Sequence, residues 1–402
     1  MLQRTFKAFQ YRDFRVMFFG SCTSSVGTWM QTVAQSWLVF AISRSSFYLG
    51  LDSFLGQIPI FLFSLVGGAV ADRVDRRHVL LGSQYVQMTC AFTLAVIFAA
   101  GLLQHRVWPI LTLSFIVGLA QSFGGPAYSA LIPSLVKNED LPNAIALNSI
   151  QFNLARVIGP MLGGIALGVS ATWCFGLNGL SFVAVIVSLY MVQTRFAPKR
   201  TGDSIIDSVK QGIHFIRGRD GMVGLIALAF LMTLLSFPLL VFLPVFAKDV
   251  FHGGPTYFTI LLCSSGAGSV IGALTVASLD KLKQRGRVAL MLLVVLGLLM
   301  AGFSLSRIFP LSAFLLFLSG GVLMGVFASI SSLVQLITPN EMRGRVMSVY
   351  NVAFRGGMPF GSLVVGLLSV RFSAPTVLAV NGVLLSIVGL WFLFVQRRVA
   401  AL

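Results

Sequence analysis

Acidic side chains are scarce in this chain of 402 residues: Asp and Glu together number 12, against 29 Lys and Arg. Charged residues of either sign make up only 10% of the composition while 56% is apolar, and mean hydropathy is +0.90. That leaves too little polar surface to clothe a water-soluble fold, which excludes an ordinary soluble enzyme or binding domain. Cysteine is equally sparse. Cys22, Cys90, Cys174 and Cys263 lie within or at the ends of apolar segments with no CxxC pair or framework spacing, so they read as buried thiols and not as a disulfide scaffold. The histidines His78, His105, His214 and His252 are scattered in or near loops without an HExxH or Cys/His cluster, and no metal, catalytic residue or cofactor is expected. The chain also lacks a Walker P-loop, which argues against direct ATP hydrolysis.

What the chain does contain is long apolar runs. A helix needs roughly 20 largely apolar residues to cross the hydrocarbon core. Twelve segments qualify, near 15–41, 47–71, 78–101, 107–135, 143–168, 173–193, 221–246, 256–279, 288–306, 310–338, 346–369 and 374–396. The predicted fold is therefore all-α and integral to the membrane, with twelve transmembrane helices. Placing the N-terminus in the cytoplasm puts most Lys and Arg on that side, leaving only Arg44, Arg106, Lys248, Arg307 and Arg371 outside. This positive-inside bias predicts that both termini are cytoplasmic, and it explains the net charge of +17 without invoking nucleic acid. The basic, amphipathic stretch Phe6 to Arg12 precedes a span too long for a signal-peptide core, so no cleavage is expected.

The longest hydrophilic interval, Thr194 to Asp220, contains Pro198-Lys199-Arg200-Thr201-Gly202 and divides the chain into a first bundle (1–193), a linker (194–220) and a second bundle (221–402). Within the linker Ile205, Val209, Ile213 and Ile216 recur at helical spacing beside Lys210 and Arg217, predicting a short helix lying on the cytoplasmic face. The halves echo each other. At an offset of 199 residues Ser149, Arg156 and Pro160 align with Ser348, Arg355 and Pro359, and the two arginines are the only basic residues deep inside spans. Repeated halves imply a pseudo-two-fold fold with a site at their interface, and intramembrane charge is costly and tends to be functional. The bland alternative is that both arginines close structural hydrogen bonds.

Four further patterns carry chemistry. The turn from Gly68 through Asp72, Arg73, Asp75, Arg76 and Arg77 concentrates charge between two spans and must lie outside the bilayer. Asp72 there can meet a helix N-terminus, and the arginines can meet carboxylates or lipid phosphates. Asp52 is the one carboxylate that this topology leaves inside a span. Burial raises a carboxylate pKa, which makes Asp52 the candidate proton-coupling group, with a structural pairing to Arg156 or Arg355 as the alternative. Ser24, Thr28, Gln31 and Gln35 form one polar stripe, and Ser114, Gly118, Gln121, Gly125 and Tyr128 a second; Ser329, Ser332 and Gln335 add a third, with Thr233, Ser236 and Phe237 in span seven. Gly159-Pro160 and Gly163-Gly164 permit a bend and close helix approach in span five, whereas Gly266-x-Gly268-x-x-x-Gly272 reads as helix packing alone.

The string Gly27-Thr28-Trp29-Met30-Gln31, the loop at 68–77, Leu154 to Gly164 and Arg343-Gly344-Arg345-Val346-Met347-Ser348 together resemble the major facilitator superfamily. The match is to its bacterial exporter branch of transmembrane secretion effectors, which includes enterobactin and macrolide efflux proteins; Asp75 stands where a glycine is common. The resemblance implies two six-helix bundles, a central cavity lined by spans one, four, seven and ten, and a 68–77 loop that latches an outward-facing state. It also implies that the Gly-Pro-x-x-Gly-Gly pattern of span five is an antiporter motif. The expected protein is a monomeric exporter of the bacterial inner membrane that moves small amphipathic molecules, of drug or siderophore type, by alternating access and proton antiport. Its expected partners are the small-molecule substrate, protons or another ion, and membrane lipids. A same-fold importer, a lysolipid flippase, a membrane-embedded enzyme and a scaffold are the competing readings. Only one intramembrane carboxylate and no intramembrane His tell against the enzyme.

Overall fold

The computed structural model describes residues 6–103, 106–194, 205–278 and 284–400. His105, the Pro198–Gly202 stretch of the linker and the loop around Lys281 lie outside the described residues. Every regular element among the described residues is helical. The long helices of the first half are α1 (Arg12–Ser43), α2 (Ser46–Arg73), α3 (Arg76–Ala99), α4 (Trp108–Leu131), α5 (Leu141–Val169) and α6 (Ala171–Met191). The linker forms α7 (Ile205–Arg217). The second half holds α8 (Met222–Val250), α9 (Pro255–Ser278), α10 (Arg285–Leu305), α11 (Phe309–Ile337), α12 (Asn340–Phe372) and α13 (Ala374–Gln396).

Eleven of these helices are long and apolar enough to span a membrane. The twelfth is α1, whose 32 residues carry the stripe of Ser24, Thr28, Gln31 and Gln35 and so dilute its apolarity. The expectation of twelve spans holds, and the one that composition alone misses is the one that carries this stripe.

The chain packs as two compact units, residues 1–43 with 58–202, and residues 44–57 with 203–402. In the first unit α1 lies against α5 and α6, and α3 against α4 and α6. In the second, α8 lies against α12, α9 against α11, and α10 against α13. The α1–α5 pair of one unit thus has its counterpart in the α8–α12 pair of the other, one half-repeat later. Gly268 and Gly272 face Phe317 and Gly321 of α11, as the helix-packing reading requires.

The N-terminal stretch is a short 3-10 turn, Lys7–Gln10, docked on the first unit. Ala8 is fully buried and its N–H donates to Asn143 Oδ1 at 2.9 Å, while Phe9 packs edge-on against Phe18 at 4.8 Å. Linker helix α7 packs along the start of α12. Among its described side chains Gly212 and Ile216 are buried, and a Cβ at Gly212 would lie 2.7 Å from the Arg345 carbonyl oxygen, so the apolar stripe read as membrane-facing is at least partly spent on a protein neighbour.

Candidate functional site in the membrane-spanning helices

Span five and span one meet through glycine. A Cβ at Gly159 would lie 2.8 Å from the Val26 carbonyl oxygen, and one at Gly163 would lie 2.9 Å from that of Met30. Only hydrogen fits at those two positions, so α5 can lie directly on the backbone of α1. Pro160 is buried beside them and the helix runs on through it; Gly164 is half-buried.

This contact fixes Trp29. Its ring meets Phe152 edge-on at 6.2 Å, and the guanidinium carbon of Arg156 stands 5.7 Å from the ring centroid. The quadrupole of an aromatic face attracts a cation, most strongly for Trp. Within the first unit no carboxylate among the described residues pairs with Arg156, so its described partner there is a π-face. Sequence reasoning singled out Arg156 but missed Trp29 as its support. The available signal was Trp29's place in the Gly27–Gln31 string.

The polar stripe of α1 is engaged inside its own unit. Asn178 Nδ2 donates to Gln31 Oε1 at 2.7 Å, and Gln35 Nε2 donates to Ser114 Oγ at 2.8 Å. Further along, Gln87 Nε2 donates to Gln121 Oε1 at 3.2 Å and Tyr128 Oη donates to Asn148 Oδ1 at 2.7 Å. Gln151 is 3% exposed; it donates to Ser25 Oγ at 2.9 Å and leaves its Oε1 without a hydrogen-bond partner. The structure therefore joins Gln31, Gln35 and the α4 stripe into hydrogen-bonded chains across α1, α3, α4, α5 and α6.

In the second unit Arg355 is exposed on α12, and Gln335 donates to Ser331 Oγ at 3.3 Å. Asp52 is 9% exposed in the part of α2 that packs with this unit. Next to it, Ser53 Oγ donates to Ser362 Oγ at 3.0 Å, and Phe54 meets Phe360 at 6.2 Å. Ser362 is two helical turns from Arg355, roughly 10 Å along α12.

The loop between α2 and α3 has a definite local job. Arg76 donates to the Ala130 carbonyl at the end of α4 at 2.8 Å and lies 3.6 Å from Asp72. Arg77 donates to the carbonyls of Tyr190 and Val192 at the end of α6, at 3.0 and 3.3 Å. Asp75 accepts the N–H of Arg77 at 2.9 Å and caps α3. Two of the three arginines thus satisfy orphan carbonyls at helix C-termini, where a cation is favoured. Arg73 is exposed, and a Cβ added at Gly68 would meet nothing within 4 Å outside its own helix turn.

At the same end of the unit a buried carboxylate gathers the N-terminal turn. Asp140, 2% exposed, receives Lys7 Nζ at 2.7 Å, Tyr11 Oη at 2.8 Å and Gln10 Nε2 at 2.9 Å. The Lys7 hydrogen bond, with those of Tyr11 and Gln10, holds its pKa below the usual carboxylate range although burial works the other way. Asp13 does the same for the chain leaving α6, accepting the N–H groups of Gln193 at 3.0 Å and Thr194 at 2.9 Å and the Thr194 hydroxyl at 2.6 Å. Nothing in the sequence marked Asp140, because a carboxylate in a loop is ordinary until its burial is known.

Two units of apolar helices of spanning length, the first threaded by hydrogen-bonded polar chains and carrying an arginine in mid-span, fit the class of membrane transporters. The family model of the transmembrane secretion effectors matches residues 3–401, and the chain belongs to that family of major facilitator transporters. It is similar to macrolide efflux protein A of Streptococcus pyogenes, 24% identical over 94% of this chain and 95% of that protein. It is also similar to the enterobactin exporter EntS of Escherichia coli O1:K1 / APEC, 27% identical over 95% of this chain and 91% of that protein. In fold it resembles a bacterial homologue of the human lysosomal transporter Spinster, with a TM-score of 0.77 at 11% identity over 96% of this chain and 97% of the other. The nucleoside transporter NupG gives 0.72 at 14%, covering 95% of this chain and 98% of the other. The chain is thus a multi-pass membrane transporter and not an enzyme.

Proposed function

We propose that this protein exports small amphipathic molecules, of the kind represented by macrolides or siderophores, by alternating access coupled to proton antiport. Both termini face the cytoplasm in this reading. The observation that carries it is Arg156. This membrane-embedded cation is held against Trp29 at the glycine-mediated crossing of α1 and α5, in a chain whose similar proteins are efflux transporters. A guanidinium supported by a π-face keeps its hydrogen-bond donors for a cargo anion or for a carboxylate that changes protonation. Arg355 is its counterpart in the second half, and Asp52 is the proton-coupling group. Gln31, Gln35, Gln121, Tyr128 and Gln335 supply the polar wall along which cargo moves, and the latch falls to Arg73 and to Asp72, which would exchange Arg76 for a partner across the bundles, since Arg76 and Arg77 are committed to carbonyls.

The test is transport by the purified protein in proteoliposomes with an imposed pH gradient. Asp52→Asn should abolish gradient-driven transport and leave the protein monodisperse; undiminished gradient-driven transport would overturn the coupling assignment. Strain susceptibility to dyes, macrolides and siderophore precursors, with and without the protein, tests export itself. No difference across a broad panel would remove the exporter reading.

A further inference from the structure

We infer that the groove between linker helix α7 and the head of α12 binds the headgroup of an anionic phospholipid. The groove is about 450 Å³ in volume and is lined by Lys210, Gln211, His214, Phe215 and Met342. Lys210 and His214 stand one turn apart on the exposed side of α7, while Phe215 and Met342 are half-buried and make an apolar floor. The two walls cannot drift apart freely, because Gly212 is pressed against α12: a Cβ there would lie 2.7 Å from the Arg345 carbonyl oxygen.

Charge complementarity selects the occupant. Lys210 lines the groove itself, and the two segments that form it also carry Arg217, Arg219, Arg343 and Arg345 against the carboxylates Asp207, Asp220 and Glu341, with Asp220 already 3.3 Å from Arg398. Among the described residues no carboxylate comes within ion-pair distance of Lys210 or Arg343. An excess of cations over an apolar floor matches a molecule with a phosphate at one end and acyl chains at the other. A free anion would gain nothing from Phe215 and Met342, and a zwitterionic lipid would bring its own cation to Lys210. Basic clusters beside membrane helices attract anionic lipids at about 1 kcal/mol per Lys or Arg, or about fivefold in affinity. A lipid seated here would tie the linker to α12 and so make transport sensitive to membrane composition.

Native mass spectrometry of the full-length protein tests this with phosphatidylglycerol and phosphatidylcholine of identical acyl chains. Phosphatidylglycerol should be retained preferentially, and Lys210→Gln should weaken its retention about fivefold. Arg343→Gln should act in the same direction, providing an independent variant should Lys210→Gln fold poorly. Lys137→Gln, the same charge change at an exposed site in the first unit, should leave retention unchanged. Equal retention of the two lipids, an equal loss in Lys137→Gln, or displacement of phosphatidylglycerol by millimolar inorganic phosphate would each overturn the assignment.

Discussion

Arg156 and Asp140 show how differently two single residues can be read. Arginine in the middle of an apolar span is costly enough to stand out in any sequence, whereas Trp29 is unremarkable in a membrane helix until its ring is found under the guanidinium. Arg156→Lys keeps the charge but loses the planar face that stacks on indole. Weakening the contact by about 1 kcal/mol, it should reduce transport severalfold in proteoliposomes while thermal stability changes little. Asp140 is the opposite case, a loop carboxylate that only burial makes notable. Its folded-state pKa lies below the unfolded value of about 4, so its contribution is complete above that value and is lost as pH falls through the folded pKa. Asp140→Asn should therefore free the Lys7–Gln10 turn at neutral pH, raising hydrogen exchange of Ala8 and Phe9. Wild-type protein should show the same release only below about pH 4, the unfolded value.

Helices were legible as elements because apolar runs of spanning length have few alternatives in a membrane, and their ends are marked by charge or proline. What the runs do not reveal is which face meets which neighbour. Span five shows the gap: Gly159, Pro160, Gly163 and Gly164 read together as a motif, but only packing separates Gly159 and Gly163, pressed on the backbone of α1, from their neighbours. Gly163→Val should destabilise the protein by about 1–3 kcal/mol through overpacking, seen as a lower midpoint in a thermal assay in detergent. On the same helix Gly168 meets nothing within 4 Å, so Gly168→Ala should be neutral or stabilise by up to about 1 kcal/mol. The linker helix carries the same lesson, since its hydrophobic period was plain in the sequence and its protein partner on α12 was not.

For the whole molecule, charge asymmetry along the sequence is the support for the proposed orientation, because basic loops resist translocation. A fluorescent protein fused at the C-terminal end should be bright and alkaline phosphatase fused there inactive; the reverse pattern would invert the proposed topology. The loop at 68–77 was the least legible part. A charged turn between two spans looks free to reach any partner, yet Arg76 and Arg77 close the ends of α4 and α6 within their own unit. The N-terminal turn has a consequence for biosynthesis. Its bond from Ala8 to Asn143 joins residues 135 apart, and that from Thr194 to Asp13 joins residues 181 apart. As the chain leaves the ribosome, Ala8 must wait for the fifth helix to begin and Asp13 for the sixth to end. Both bonds lie wholly within the first 194 residues, so nothing in the second half is needed to form them.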